Sequence, residues 1–278
     1  MLDGIVNTLS LSLAFALIGL NVYLSTQVLN ITDLTCDASV ALGGCSYGAL
    51  LLCGINPFVS FLLAAFLGAV AGFTTSSFVT HVKIEPVLAS IITLTALQTF
   101  ITKLSGIGTS AVGKGMIFSS SAIYNFVIVL AVVLLICMLF FKMLNSEYGL
   151  AMRVYGDGKI ISESLGINTN KILWIGLCAG NALSAVAGAL IAQVSGNFSS
   201  GMGNGSLVFG LASVIIGEKI LAPKNVGIAI LGCFIGALVY KIMIEIVTAS
   251  GSEYSHVIMA TILVLLMTLI QNNPKRRS

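Results

Sequence analysis

The chain has 278 residues, of which 57% are apolar and 8% are charged, and its mean hydropathy is +1.06. A soluble domain carries about a quarter charged residues because its surface must be hydrated. The composition therefore excludes a soluble globular domain and a disordered chain. The net charge is +3, with no basic surface interleaved with aromatic residues, which argues against nucleic-acid binding. We predict an all-α integral membrane protein in contact with the lipid bilayer.

Apolar segments of membrane-spanning length recur along the whole chain. A helix needs about 20 mostly apolar residues to cross a bilayer. This criterion predicts about nine transmembrane or partly spanning helices in one transmembrane domain over residues 1–278. In chain order they are Leu2–Val28, Asp33–Cys53, Pro57–Val82, Pro86–Leu104, Ile123–Leu144, Ile172–Val194, Ser206–Leu221, Val226–Val247 and Tyr254–Ile270. The seventh is short and contains Gly210 and Gly217, so we expect it to be interrupted or to span only partly.

The basic residues predict the orientation of these segments. They cluster in the polar loop from Asn145 to Lys171 and in the final stretch Lys275–Arg277. Loops on the cytoplasmic side of a membrane carry an excess of Lys and Arg. We therefore expect a multi-pass protein with the loop and the C-terminus in the cytoplasm and the N-terminus on the opposite side.

Segments two and seven share a pattern that indicates an internal repeat. Both are rich in glycine and studded with polar residues, and they occupy matching places in the two halves of the chain. In the predicted topology they run in opposite directions. Paired interrupted segments of this kind point to a transport pathway at the interface between inverted repeats. We therefore expect two halves that resemble inverted repeats.

Two motifs resemble catalytic or nucleotide-binding signatures but lack their context. Gly44–Gly48 fits G-x-S-x-G, yet it lies within an apolar helix and not at a strand–turn–helix elbow. The stretch from Gly108 to Gly115 has a glycine where a P-loop needs Ser or Thr to bind Mg²⁺. We expect neither motif to act chemically. Glycines four residues apart instead predict close helix packing, at Gly44/Gly48, Gly68/Gly72, Gly176/Gly180 and Gly232/Gly236.

Polar residues inside the predicted spans are the candidates for function, since a polar group in a bilayer is costly. Asp33 and Asp37 open segment two, where a carboxylate either caps the helix or lines a pathway. Lys241 and Glu245 are spaced as an intrahelical ion pair. The neutral residues either line a polar route or form hydrogen bonds between helices: Thr93, Thr95, Gln98 and Asn181. The six cysteines all lie in apolar runs, and we expect no metal site among them.

The loop from Asn145 to Lys171 is the longest polar stretch and carries charges of both signs. We predict that Asp157 caps a short helix that runs to Leu165, with Ile161 and Leu165 on one face. Such a helix either lies on the membrane or docks a cytoplasmic partner. Its polar face is not rich in Lys or Arg, which favours the partner.

The same loop resembles the cytoplasmic coupling loop of ATP-binding-cassette importer permeases, in the branch that includes branched-chain amino acid and ribose permeases. The matching residues are Gly149, Arg153, Gly156, Asp157, Gly166, Ile167 and Asn168. The segments LNITDLTCDASVALGG and GSLVFGLASVIIGE are similar to the same family, and the likeness runs through nearly the whole chain. One departure is Cys36-Asp37-Ala38, where relatives have a small residue and glycine. Within the family the chain looks most similar to a bacterial subgroup linked to aromatic amino acids.

The resemblance implies the membrane subunit of an ATP-driven importer in the bacterial cytoplasmic membrane. It would pair with a second copy, a cytoplasmic ATPase dimer and an extracytoplasmic binding protein. ATP and Mg²⁺ would sit on the ATPase, and this chain would hold no cofactor and catalyse no reaction. The residues implied to couple to the ATPase are Arg153, Gly156, Asp157, Ile161, Ser162, Leu165 and Gly166. The candidate pathway residues are Asp37, Ser39, Thr93, Gln98, Asn181 and Phe209.

Other functions stay open at this point. A facilitator or secondary transporter would work without an ATPase, but it needs ion-coupling residues that the sequence does not show convincingly. A membrane enzyme needs an acid/base or metal set, and the two histidines lie far apart in the sequence without clustered carboxylates. No strongly charged cluster lies in the spans, so a small zwitterion or a neutral solute fits. An amino acid is favoured over a sugar or a nucleoside on the family resemblance.

Overall fold

The computed structural model describes residues 2–106, 122–223 and 225–249, and over these residues it is helical without a β-strand. The first five helices are α1 (Leu2–Tyr23), α2 (Thr35–Leu52), α3 (Pro57–Ser77), α4 (Pro86–Ser105) and α5 (Ala122–Asn145). Two short helices follow, α6 (Glu147–Asp157) and α7 (Lys159–Ser164). The remaining helices are α8 (Thr169–Ser195), α9 (Ser206–Leu221) and α10 (Val226–Ala249).

Eight of the nine predicted segments are helices with nearly the predicted bounds, and Tyr254–Ile270 lies outside the described residues. Within the described part of the chain, six helical stretches are long and apolar enough to cross a membrane: Val6–Val28, Pro57–Val82, Pro86–Ser105, Ile123–Asn145, Thr169–Ser195 and Val226–Ile246. The other two predicted segments, α2 and α9, are shorter and lie mostly inside the protein. Large apolar side chains on the outer faces of α3, α4 and α5 are exposed, including Leu62 and Leu139. These faces suit contact with lipid.

The two longest buried helices, α1 and α8, cross at the centre in opposite directions. Asn21 of α1 contacts Ser184 of α8, while Leu29 beyond the end of α1 packs against Gly176 near the start of α8. Helices α2 and α3 pack on α8, whereas α9 and α10 pack on α1. Each half of the chain therefore places its second and third helices against the first helix of the other half.

The directions of α2 and α9 follow from their contacts along these central helices. Helix α2 runs in the same direction as α8, since Cys36 meets Ser184 and Tyr47 meets Gln193. Helix α9 runs in the same direction as α1, since Phe209 packs on Phe15 and Ser213 lies against Gly19. Because α1 and α8 are antiparallel, α2 and α9 are antiparallel too. The predicted inverted arrangement of the two halves is confirmed.

Glycines let the helices approach backbone to backbone. A Cβ added at Gly188 of α8 would overlap the carbonyl oxygen of Val40 in α2, and one at Gly236 of α10 would overlap that of Ser213 in α9. Gly68 and Gly72 of α3 face the backbone of α8 in the same way. The close packing predicted from glycines four residues apart is confirmed, and the Gly44–Gly48 stretch is part of a buried helix.

Both α1 and α3 end in a π-helical turn, Leu24–Val28 and Phe78–Val82. A residue with a positive φ follows each turn, Asn30 at 54° and Lys83 at 58°. The first π-turn lies against α6, where a Cβ at Gly156 would overlap the carbonyl oxygen of Val28. The second lies beside the start of α8, where the indole Nε1 of Trp174 donates to the Thr80 hydroxyl at 2.9 Å. The ends of α1 and α3 and the α6–α7 loop therefore meet at one end of the bundle.

The close packing of α2 on α8 generates a testable stability prediction. We expect Gly188→Ala to lower the free energy of unfolding by about 1–3 kcal/mol, because the added methyl group forces two helix backbones apart. Gly227→Ala is the matched control, since its Cβ would lie 3.5 Å from a ring carbon of Phe141, an ordinary contact. The measurement is thermal unfolding of the detergent-solubilised protein. Equal midpoints for the two variants would contradict the described packing.

Candidate functional site

A group of buried polar side chains lies where α2 begins, about halfway along α8. The carboxylate of Asp33, 2% exposed, accepts the backbone N–H of Thr35 at 2.9 Å and the side-chain amide of Asn181 at 2.7 Å. The same Asn181 amide group donates to the Leu177 carbonyl, and its oxygen accepts the Ser39 hydroxyl at 2.6 Å. Asp33 thus satisfies the N–H of the first residue of α2 although the N-cap itself is Leu34, and Ser39 and Asn181 are brought together between α2 and α8.

The same region is joined to α1 and α3 by further hydrogen bonds. The amide of Asn21 donates to the Ser184 hydroxyl at 2.7 Å, and the Cys36 thiol lies 3.3 Å from that hydroxyl. Thr35 and Thr75 share a hydrogen bond of 2.9 Å between α2 and α3. We call the set Asn21, Asp33, Thr35, Cys36, Ser39, Thr75, Asn181 and Ser184 the central polar cluster. It ties four helices together near the level where α2 starts.

Asp37 does not cap its own helix, which was one of the two roles expected from its place at the start of segment two. Its carboxylate accepts the backbone N–H groups of Leu207 at 2.7 Å and Gly205 at 3.3 Å, at the N-terminus of α9. The reason is the chain path between α8 and α9, which lies against α2 and brings Gly203 close to the carbonyl oxygen of Asp37. A carboxylate at a helix N-terminus is favourable, because it meets unpaired N–H groups and the positive end of the helix dipole. Asp37 therefore links the two halves of the protein.

Phe209 lies apart from the central polar cluster, at a cavity between α1, α9 and α10. The cavity has a volume of about 590 Å³, which is within the usual range of small-molecule pockets. Its polar lining comes from Asn204, Ser206 and Lys241. The ring of Phe209 packs between Phe15 and Tyr240, with centroid distances of 4.5 and 4.8 Å.

The two candidate pathway residues of α4 lie on different faces of that helix. Thr93 is buried, and its hydroxyl donates to the Ala89 carbonyl of its own helix. Gln98 is exposed and belongs to a polar stripe at helical spacing along an otherwise apolar span: Thr95, Gln98, Thr99 and Thr102. The Thr95 and Thr102 hydroxyls bond to carbonyls of α4 itself. This stripe gives α4 one exposed face that differs in polarity from the lipid-facing helix surfaces beside it.

The loop between α5 and α8 contains two helices, where the sequence predicted one. Helix α6 continues through Asp157, so Asp157 ends one helix and does not cap the next. The cap residue of α7 is Gly158, in an extended conformation and with no side-chain hydrogen bond. The predicted capping role of Asp157 is wrong, because the N–H of Gly158 bonds to the Val154 carbonyl and closes α6 one residue later.

Helix α6 is held firmly against the membrane helices. The guanidinium of Arg153 donates to the Leu144 carbonyl at 3.1 Å, at the end of α5. The Asn30 amide donates to the Gly156 carbonyl at 3.4 Å, and Gly156 itself packs on Val28. Helix α6 therefore contacts the ends of both α1 and α5.

Helix α7, in contrast, presents apolar side chains to solvent. Ile160, Ile161 and Leu165 are 83%, 53% and 65% exposed, so Ile161 and Leu165 are both available on the outer surface as predicted. Ser162 faces the other way and is buried, and its hydroxyl has no hydrogen-bond partner among the described residues. Gly166 ends the turn with a φ of 76°. An apolar surface on a polar loop is typical of a protein-docking site.

A groove of about 700 Å³ separates this loop from the end of α3 and the start of α4. Charged residues of both signs line it, among them Lys83, Glu85, Lys159 and Glu163. Burial, with a smaller contribution from the negative charge of Glu163, raises the pKa of Tyr155 above its ordinary value. The Tyr155 hydroxyl in this groove therefore stays neutral at physiological pH.

Several of these buried contacts were missed by the sequence prediction. Asn21 and Ser184 were not singled out, although an asparagine within the apolar run of segment one is a usable signal. Tyr47 and Gln193 form a buried hydrogen bond between α2 and α8 that sequence spacing does not reveal. Partners this far apart in the chain are identified only once the helix packing is known.

Comparisons with known proteins identify a family. Residues 4–267 match the family model described as the permease component of branched-chain amino acid transport systems. The chain is 29% identical over 276 residues to a tyrosine transport system permease protein of Clostridioides difficile, covering 98% of this chain and 92% of that protein. It is 27% identical to an uncharacterised protein of Rickettsia prowazekii, covering 90% of each.

Two further similarities are more limited. A nucleoside ABC transporter permease protein of Lactococcus lactis is 31% identical over 108 residues, covering 38% of this chain and 32% of that protein. An inward-facing structure of a metal-chelate type ABC transporter aligns with 13% identity and a TM-score of 0.48, covering 96% of this chain and 84% of that chain. The family model spans almost the whole sequence. The chain belongs to the family of permease components of branched-chain amino acid transport systems.

Proposed function

We propose that this permease is the membrane subunit of an ATP-driven importer for a small solute, an amino acid. In this proposal two copies pair in the bacterial cytoplasmic membrane, with the α6–α7 loop and the C-terminus in the cytoplasm. A separate ATPase dimer binds ATP and Mg²⁺, and an extracytoplasmic binding protein delivers the solute. The chain itself holds no cofactor and performs no chemical reaction. The family assignment supports the transport role. The pairing, the ATPase, the binding protein and the solute are part of the proposal.

The main observation in favour of an ATPase partner is the exposed apolar surface of α7. Ile160 and Ile161 lie on α7 and Leu165 follows its last residue, outside the segments that are long and apolar enough to cross a membrane. Exposed apolar groups of this kind are stabilised when a partner covers them. The adjoining helix α6 is fixed to α1 and α5 through Gly156 and Arg153, so a push on α7 is carried into the membrane bundle. The Gly108–Gly115 stretch, which resembles a P-loop in sequence, lies outside the described residues.

The polar stripe of α4 supports a translocation path at a face shared with a second copy. A glutamine side chain facing hydrocarbon is unfavourable, since lipid offers no hydrogen-bond partner. Contact of these side chains with water or with a second copy of the chain removes this unfavourable free energy: Gln98, Thr99 and Thr102. In this proposal four residues position the helices and do not contact the solute, because each is hydrogen-bonded to another helix or to its own backbone: Asp37, Ser39, Thr93 and Asn181. An amino acid as the solute is supported by the tyrosine permease to which the chain is similar.

The docking surface is tested by co-purification. We expect an ATPase subunit encoded beside this permease to co-purify with the wild type in detergent. The double substitution Ile161→Glu and Leu165→Glu places charge on the α7 surface and should abolish this association. Ser164→Glu is the matched control, since Ser164 is an exposed polar residue of the same helix. It adds charge without removing apolar surface, and we expect it to retain the ATPase.

Two outcomes would contradict this account in different ways. An ATPase that still binds the double variant would show that α7 is not the docking surface. Failure of the wild type to bind an ATPase would favour the facilitator, which needs no partner for energy.

The α4 stripe is tested by the accessibility of introduced cysteines to water. In a Cys53→Ser background, which removes a cysteine that is exposed, we expect Gln98→Cys to react with a charged maleimide in membrane vesicles. Leu139→Cys on α5 is the control, because Leu139 is 62% exposed on an apolar helix face. Thiols in hydrocarbon stay protonated and unreactive. Equal labelling at both positions would contradict a polar path along α4.

A further inference from the structure

Lys241 and Glu245 are charged residues within a spanning helix, and helix packing alone does not account for them. Both belong to Val226–Ile246, the stretch of α10 that is long and apolar enough to cross a bilayer. Charged side chains within such stretches are rare and costly. The predicted intrahelical pair is confirmed, since Lys241 Nζ lies 3.8 Å from Glu245 Oε2. This distance is longer than a hydrogen bond, so the ammonium group keeps the capacity to bind another anion.

Lys241 lies toward the end of the bundle that is opposite the α6–α7 loop. Gly232 of α10 packs on Gly217 of α9. Gly236, one turn later in α10, packs on Ser213, one turn earlier in α9. Helix α10 therefore runs opposite to α9 and α1. Lys241 is about 7–8 Å from the end of its spanning stretch, since a helix rises about 1.5 Å per residue. A lysine at this depth extends its ammonium group to the level of the lipid headgroups.

Only one of the two charges lines the cavity between α1, α9 and α10. The Lys241 side chain is 16% exposed, and its Nζ lies 5.5 Å from the centre of the Phe15 ring. The Glu245 side chain is 56% exposed and lies outside the cavity lining. Among the described residues Lys241 is the only charged one in the lining, and Asn204 and Ser206 add hydrogen-bonding groups. The polar part of this wall therefore favours an anion.

The rest of the cavity wall is mostly apolar and adjoins surfaces that suit lipid. Its aromatic and aliphatic residues include Phe15, Val208, Phe209, Tyr240 and Ile244. Val208 of α9 is 49% exposed although it lines the cavity, and Ile242 and Ile246 on the adjoining face of α10 are 40% and 65% exposed. Apolar surface thus continues from the cavity to the outside of both helices. A ligand that combines an anionic group with an apolar chain satisfies both parts of the wall.

We propose that this cavity binds a glycerophospholipid of the leaflet opposite the α6–α7 loop. The Lys241 ammonium group binds the lipid phosphate, and one acyl chain lies against Phe15, Phe209 and Ile244. Lysine is a common ligand of phosphate in proteins, and basic pockets between membrane helices bind lipid headgroups. The site includes no residue of the central polar cluster, the α4 stripe or the α6–α7 loop. It therefore stands independently of the proposed function.

A competing account is that Lys241 pairs with Glu245 alone and that lipid covers the cavity without preference. In that case the affinity for a lipid depends on its acyl chains and not on its phosphate. The two accounts therefore differ in whether binding requires both the phosphate and the lysine.

The experiment compares phosphatidylglycerol with a diacylglycerol that has the same acyl chains but no phosphate. Binding to the permease purified in detergent is measured by native mass spectrometry and by the shift of the unfolding temperature with added lipid. We expect phosphatidylglycerol to bind at least about ten-fold more tightly, because a partly buried charge gains from an opposite charge. Lys241→Gln should abolish this preference, whereas Lys241→Arg, which keeps the charge, should retain it.

Two further variants test the acyl chain and the general attraction of basic residues. Val208→Trp leaves Lys241 in place and fills the cavity, so we expect it to weaken the binding of phosphatidylglycerol. Lys142→Gln removes an exposed lysine at the end of α5, beside the α6–α7 loop, and should leave this binding unchanged.

Several results would overturn the lipid site. One is equal affinity of the wild type for the two lipids. Another is unchanged binding of phosphatidylglycerol by a Lys241→Gln variant that unfolds at the wild-type temperature. An equal loss of binding in Lys142→Gln would also count against the site, because any basic residue would then serve. If Lys241→Gln does not fold, Val208→Trp decides, since unchanged binding by that variant would contradict a lipid in the cavity.

Discussion

The structure depends on satisfying polar backbone groups at the N-termini of two helices, α2 and α9. In hydrocarbon an unpaired N–H group costs several kcal/mol, because there is no water to bond it. Helix α2 begins beside the middle of α8, and the carboxylate of Asp33 accepts the N–H of Thr35 there. The N-terminus of α9 meets Asp37, which accepts two of its N–H groups. Asp33 and Asp37 thus stabilise the N-termini of α2 and α9, two helices that run in opposite directions.

This constraint explains why the halves of the chain interlock. Asp37 belongs to the first half and caps a helix of the second, while Asn181 of the second half bonds to Asp33 of the first. The glycine contacts of α2 on α8 bring the backbones close enough for these short side chains to reach. Asn21 of α1 and Ser184 of α8 meet near Cys36, at the start of α2. A shift of α1 or α8 would therefore displace the residues at the start of α2.

The helical composition of the fold was largely predictable, since long apolar runs and flanking prolines mark helices without reference to their neighbours. Segments such as Pro57–Val82 agree with the structure almost to the residue. The π-turns at Leu24–Val28 and Phe78–Val82 were not predicted, because they depend on contacts at the helix ends and not on local composition. Helix α6 was not predicted, because Asp157 is a strong candidate to begin a helix, whereas in the structure it ends one.

The polar residues were harder to interpret than the helices. The sequence indicated that Asp33, Asp37, Ser39 and Asn181 were costly in a membrane, but not which of them would meet. Asp37 illustrates the limit, since its partners Gly205 and Leu207 lie about 170 positions along the chain. Its cap on α9 requires the packing of both halves, which a single sequence does not supply. Lys241 and Glu245 were correctly predicted as a pair, whereas the cavity beside them appears only in the folded protein.

The most direct test of this account is the thermal unfolding of Asp37→Asn and Asp37→Ala beside the wild type. An asparagine still accepts an N–H from α9 but carries no charge, whereas alanine accepts none. We predict stability in the order wild type, Asn, Ala, with alanine about 1–2 kcal/mol below the wild type, the size of a lost helix cap. Asp157→Ala should have no effect, because Asp157 is exposed and caps no helix. An alanine variant as stable as the wild type would contradict the claim that Asp37 holds the two halves together at the start of α9.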